Sequence, residues 1–147
     1  MWGLTWDELT AMMPDSVRRS LLPWEWSRDQ LWALALPARS MPLQTLQSVF
    51  QVPLWRGEDG TPFATRPDDV LAAPERYPSQ FDRMLQANLA YPVDITRWRG
   101  AWIVLDGVHR LLKAAHLGLA EVAAREVPCE LYAAFAVTPQ AVSPSLG

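Results

Sequence analysis

The sequence predicts a small α+β protein, a mixed sheet with helices packed against it. Three observations carry that expectation. Strand-like and helix-like segments alternate irregularly, without the repeated strand–helix–strand units of a doubly wound sheet. Prolines at positions 14, 23, 37, 53 and 128 each close or interrupt a short element. A chain of 147 residues that is 50% hydrophobic can build one core and is too short for two comfortable domains. The expected organisation is a helical, Trp-rich N-terminal extension over 1–30, the domain over 31–137, and a flexible Pro- and Ser-rich tail over 138–147.

Taken in order, Thr5-Trp6-Asp7-Glu8 has the form of a capping box and opens a helix that Pro14 stops. A second short helix is expected from about Ser16 to Leu22, before Pro23. Leu31 to Leu36 reads as a buried strand, and Pro37-Ala38-Arg39 turns the chain. Ser40 with Pro42 starts a helix carrying Leu43, Leu46, Val49 and Phe50 on one side. Trp55 to Thr65 has the marks of a hairpin around Glu58-Asp59-Gly60. Arg66-Pro67 opens a short helical turn through Leu71, with Arg66 and Asp69 pairing or capping locally. Ser79 to Leu89 reads as a helix with Phe81, Met84, Leu85 and Leu89 facing inward. Tyr91 to Thr96 is a strand, Trp98-Arg99-Gly100 a hairpin turn, and Trp102 to Leu105 the partner strand. Glu121 to Val127 alternates as a strand does, and Cys129 to Val137 fits a last strand or a short helix.

The stretch from 102 to 118 carries the chemistry. A buried strand meets a tight turn at Asp106-Gly107 and continues into an amphipathic helix that ends at Gly118. Such a junction leaves the first helical N–H groups unpaired at the positive end of the helix dipole, which is an anion site. His109 and Arg110 lie in the first turn and Lys113, the only lysine, follows one turn later. Val108, Leu111, Leu112, Ala115 and Leu119 recur at the spacing of a core-facing stripe, with His109, Arg110, Lys113 and His116 on the other side. Asp106 stands where a helix N-cap is expected. The plain alternative is an ordinary capped helix with a solvated basic face.

Asp106-Gly107-Val108-His109-Arg110-Leu111-Leu112-Lys113-Ala114-Ala115 resembles the signature box of the ParB/sulfiredoxin-like superfamily. The box reads Gly-Glu-Arg-Arg-x-Arg-Ala-Ala in ParB proteins, where it binds the phosphates of CTP, and Gly-Gly-Cys-His-Arg in sulfiredoxins. Free-serine kinases form a third branch, which phosphorylates an amino acid. Gly107 and Arg110 match all of these, and His109 matches sulfiredoxin. The stretch from Leu31 to about Leu131 is similar to ParB-like N-terminal domains, through Arg66-Pro67-Asp68-Asp69-Val70 and Asn88-Leu89-Ala90-Tyr91-Pro92-Val93.

The resemblance implies a ParB/sulfiredoxin-like fold and a nucleotide cofactor (ATP, ADP or CTP, with Mg²⁺ in a kinase). Gly107, Val108, His109, Arg110, Lys113 and Arg39 would hold the phosphates, the last because a turn in ParB proteins carries an arginine. Asp106 and His109 would be the catalytic pair of a phosphotransferase acting on a small-molecule acceptor; Asp94 and Glu25 are further candidate carboxylates. Val108 stands in place of the sulfiredoxin cysteine, and the one cysteine is Cys129. Val108 and Leu112 also replace the glutamate and last arginine of the ParB box, which argues against CTP hydrolysis. Two readings follow: a nucleotide-dependent phosphotransferase of the serine-kinase type, or a non-catalytic nucleotide-sensing or protein-interaction module.

Trp2, Trp6, Trp24, Trp26 and Trp32 crowd the N-terminal quarter. Core burial or docking of the extension is the plainer expectation for them. Exposed, the same rings would serve a homodimer or a protein partner, or one would stack on a nucleobase. Trp98 and Trp102 flank the hairpin beside the signature turn, where one can reach a bound base. No His/Cys cluster has zinc spacing and no Walker loop or nucleophile elbow is present. A single cysteine, no apolar run of membrane-spanning length and no signal-peptide pattern fit a cytoplasmic protein without a membrane partner. A net charge of −3 argues against nucleic-acid binding, as does the absence of a helix-turn-helix segment after the box. The expected result of a duplex-DNA gel shift at low salt is therefore no retarded band; a salt-sensitive shift would restore the partition-protein reading.

Overall fold

Residues 4–138 are described by the computed structural model of the chain. Its helices are α1 (Trp6–Met12), α2 (Asp15–Arg18), α3 (Arg28–Trp32), α4 (Pro67–Ala72), α5 (Pro78–Gln86), α6 (Val108–His116) and α7 (Tyr132–Phe135). Its strands are β1 (Ala38–Pro42), β2 (Val93–Trp98), β3 (Ala101–Asp106) and β4 (Glu121–Glu126). They form one mixed sheet in the order β1-β4-β2-β3. β2 and β3 pair antiparallel, as do β1 and β4, while β2 and β4 run parallel. The parallel pair needs a crossover, and α6 supplies it between β3 and β4.

Alternation along the strands divides the sheet between two cores. Val93, Ile95 and Val104 join Met84, Leu111, Leu112 and Val70, so one face is covered by α4, α5 and α6. Trp98, Ile103 and Leu105 join Leu22, Trp24, Leu31, Tyr132 and Phe135, so α3, α7 and part of the Trp-rich segment cover the other. Leu9, Met13, Val17 and Val52 make a smaller cluster beneath α1 and α2. Of the N-terminal tryptophans, Trp24 is core, with its ring 5.4 Å from Trp98; Trp2 lies outside the described residues. So do residues 139–147 of the expected tail.

Local sequence signals act as expected at several ends. Thr5 and Glu8 form the reciprocal capping box of α1. Arg66 and Asp69 pair at 2.9 Å at the start of α4. Arg99 and Gly100, with φ of 52° and 79°, make the two-residue turn between β2 and β3. Gly118, at φ 74°, closes the turn after α6.

Other expectations are corrected. Residues 31–36 are not a strand: Ser27 accepts a hydrogen bond from the Gln30 N–H and starts α3, so Leu31 is buried from a helix. The strand lies just beyond it, where a turn was expected, because an edge strand tolerates Pro42 at its end. The continuous helix expected from Ser40 is two 3-10 turns, Leu43–Thr45 and Gln47–Gln51. Leu43, Leu46 and Val49 are buried all the same, since a three-residue repeat matches the 3-10 period. α2 ends at Arg18, well short of Leu22. α5 stops at Gln86, so Leu89 lies outside the helix, and Leu85, within it, is exposed. The expected hairpin at 55–65 is a loop closed by a single bridge between Trp55 and Thr65. Leu119, expected to face the core, is exposed.

A buried hydroxyl pair ties α7 to the sheet. Thr96 Oγ1 donates to the Val127 carbonyl at 2.7 Å, and Tyr132 Oη lies 2.7 Å from Thr96 Oγ1 and 2.9 Å from the Arg97 carbonyl. Tyr132→Phe leaves buried acceptors short of a donor, and the expected loss is about 1–3 kcal/mol. Urea unfolding measures it; an unchanged midpoint would mean that water replaces the hydroxyl.

Candidate functional site

The sheet brings two carboxylates together before it forms any site. Asp94 on β2 pairs with Asp106 on β3, at a register shift in the ladder. Asp94 is nearly fully buried, and Arg125 Nε on β4 donates to its Oδ1 at 2.6 Å. The remaining guanidinium nitrogens of Arg125 donate to the Leu34 and Leu31 carbonyls at 2.7 and 3.1 Å, at the C-terminal end of α3. Burial raises the pKa of Asp94; Arg125 opposes it by hydrogen bond and charge.

Asp106 is the hub of a second cluster. Its side chain is 10% exposed, and its Oδ2 accepts from Trp32 Nε1 at 2.8 Å and from Arg110 Nη2 at 2.9 Å. Arg28 Nε approaches its Oδ1 at 3.5 Å. Asp106 is therefore not the N-cap of α6, as the sequence led us to expect: Gly107 occupies that position and no side chain caps the helix. The carboxylate is drawn to the guanidinium groups instead.

Gly107 is required twice over. Its φ of 107° turns the strand into the helix, and a Cβ there would lie 2.8 Å from both Arg110 Nη2 and Val93 Cγ1. The missing side chain lets Arg110 fold back beneath the turn, where its Nε is buried without a hydrogen-bond partner. Leu111 N–H is the first in α6 to bond back, to the Gly107 carbonyl. The N–H groups of Val108, His109 and Arg110 have no partner within the helix.

His109 is held on both sides. Its ring stacks on Trp55 with centroids 4.1 Å apart and 13° between planes. Its Nε2 donates to Gln80 Oε1 at 2.8 Å. Burial, then the nearby Arg83 and Arg28 guanidinium groups, hold its pKa down to about 4, so it is a neutral hydrogen-bonding group at neutral pH.

Two expected phosphate ligands are engaged elsewhere. Lys113 Nζ donates to the Leu85 and Ala87 carbonyls at 2.7 Å each, and so caps the C-terminal end of α5. Arg39 pairs with Glu126 at 3.0 Å on β1, the sheet edge opposite β3. Val108 is partly buried and packs against the first core. Glu25 is exposed, and its carbonyl accepts from the Val137 N–H. Trp98 is buried, and Trp102 is covered by the Arg97 guanidinium at 4.4 Å. Among the described residues no three His, Cys, Asp or Glu side chains are grouped to hold a metal ion, and no helix is long and apolar enough to cross a membrane.

Sequence reasoning missed Arg28, Gln80 and Trp55 as neighbours of this turn, and named Trp32 only as one ring of the N-terminal cluster. Arg28 and Trp32 were hidden by the strand reading of 31–36. Ser27 followed three residues later by Gln30 was the available signal, since that spacing marks a helix start. Gln80 and Trp55 had no local signal; only packing against α6 brings them in. Comparison with protein-family models, curated proteins and solved structures finds no match.

The buried histidine sets a pH dependence. Its folded pKa lies below the unfolded value of 6.5, so its contribution to stability is complete above pH 6.5 and is lost as pH falls toward 4. The loss is at most about 3 kcal/mol by that shift. Asp94, with a raised pKa, acts in the opposite sense. Denaturant unfolding of wild type and His109→Gln at pH 7 and pH 4 separates the two; the wild type should lose more stability than the variant. Equal losses would mean that the ring is solvated.

Proposed function

We propose that this chain binds the phosphate groups of a nucleotide at the N-terminal end of α6, as a small module of the ParB/sulfiredoxin-like kind. The observation that carries the reading is the β3–Gly107–α6 junction: three N–H groups without intrahelical partners follow directly on Asp106, the carboxylate that Arg28 and Arg110 contact. Three arginines, Arg28, Arg110 and Arg125, face the two carboxylates Asp94 and Asp106, so the local balance is positive in a chain of net charge −3. Arg28, whose side chain is 59% exposed and whose contact with Asp106 is long, is the cation most readily turned to an incoming anion. Mg²⁺ arriving with a nucleotide is held chiefly by the phosphates themselves.

Binding without phosphotransfer is the better-supported form. A transferase needs a group that can accept the proton of the acceptor hydroxyl. Both oxygens of Asp106 are engaged by cations and an indole N–H, and the neutral His109 is committed to Gln80 and Trp55. The sensing or interaction module therefore takes precedence over the kinase-like reading, which would require Asp106 to be released first.

Calorimetric titration with ATP, ADP, CTP and GTP, each with and without Mg²⁺, tests the site. Arg28→Ala is the informative control, because Arg110→Ala would also strip a partner from a mostly buried carboxylate. At least one nucleotide is expected to bind, and Arg28→Ala to weaken it by about tenfold, or about 1.4 kcal/mol. Absence of binding by every nucleotide would overturn the proposal.

A further inference from the structure

We propose that Trp32 is the platform on which the base of that nucleotide stacks, so that the site takes a whole nucleotide in preference to an inorganic phosphate. The proposal rests on that nucleotide-binding reading and adds the residue that holds the base. Its basis is the placement of an exposed indole, fixed by its own N–H, next to the guanidinium that meets the anion.

Tryptophan is ordinarily well covered, because its area makes burial strongly favourable. Trp32 is 53% exposed although it follows Leu31, which is fully buried. The ring is nevertheless not free to turn: Nε1 donates to Asp106 Oδ2 at 2.8 Å, a charge-assisted bond to a carboxylate that is itself only 10% exposed. Arg28 lies one helical turn earlier on α3, on the same side, and reaches the other oxygen of the same carboxylate. The indole and the guanidinium thus stand side by side above Asp106, with the first turn of α6 two residues along the chain. A nucleotide presents the same pair of chemistries, an anion and a flat aromatic base joined by a sugar.

The other rings near this end of the sheet do not offer the same opportunity. Trp55 is stacked on His109, and Trp26, half-buried, donates its Nε1 N–H to the Leu105 carbonyl at 3.2 Å. Trp98 and Trp102 stand at the opposite, hairpin end of β2 and β3. Stacking on an indole tolerates any base, since every base has a π-face. The expected ligand is accordingly a nucleotide, with little discrimination among bases.

The experiment is calorimetric titration of the full chain with ATP, GTP, CTP and sodium tripolyphosphate, repeated on Trp32→Leu and Trp32→Phe. Wild type should bind each nucleotide about tenfold or more tighter than tripolyphosphate, the scale expected of one base–aromatic contact. Both variants remove the N–H that Asp106 accepts, so tripolyphosphate is the reference within each: the nucleotide advantage over it should vanish in Trp32→Leu and largely persist in Trp32→Phe. Tripolyphosphate binding as tightly as the nucleotides to the wild type, or a nucleotide advantage that survives Trp32→Leu, overturns the platform and leaves the phosphate site standing. Wild type that binds none of the four overturns both. The wild-type ratio and the Phe variant decide the matter even should the Leu variant fail to fold.

Discussion

Two carboxylates, Asp94 and Asp106, stand opposite each other on neighbouring strands, and much of the arrangement around the sheet answers that constraint. Buried charges are tolerated only when paired and hydrogen-bonded, and removing one partner costs several kcal/mol. Arg125 meets Asp94 from the parallel neighbour β4, and Arg110 meets Asp106 from the helix that follows it. The spare donors of Arg125 then hold the last carbonyls of α3. Arg28 and Trp32 reach Asp106 from the same helix. The position of α3 on the sheet follows from charge satisfaction as much as from the burial of Leu31.

The same network shows how the proposed phosphate site would coexist with an acidic side chain. Asp106 is held by two guanidinium groups and an indole N–H, which disperses its charge and draws it away from the capping position. The first N–H groups of α6 are left without a side-chain cap. A phosphate would compete with Asp106 for Arg28, the more exposed and more distant of its two cations, while the shorter Arg110 bond keeps the turn in place. Lys113 serves the architecture instead, joining α6 to the end of α5.

How much could be read in advance varies with the range of the interaction responsible. The capping box at Thr5, the turn at Arg99-Gly100 and the junction at Gly107 are local, and residue type and spacing were enough to locate them. Leu43, Leu46 and Val49 were correctly placed inside but on the wrong kind of helix, because one apolar repeat suits both an α-helix and successive 3-10 turns. The six residues from Leu31 misled for a related reason: a short apolar run fits a buried strand or one helical turn, and the cap at Ser27 had to decide. With that helix went Arg28 and Trp32, the side chains that reach Asp106 from outside the signature box.

The sequence by itself determined a small α+β chain, a hairpin running into a glycine turn, and a helix whose first turn is basic and whose far side is apolar. Those features depend on contacts within a few residues, where spacing and backbone freedom suffice. Only the tertiary structure decided that Lys113 caps α5, that Arg39 stays at the far edge with Glu126, and that Asp106 leaves the cap for Arg110, Arg28 and Trp32. Each outcome sets one partner against another 26 to 87 residues away or within the same turn. Burial and geometry settle such contests, because a charge leaves water only where its best partner already waits.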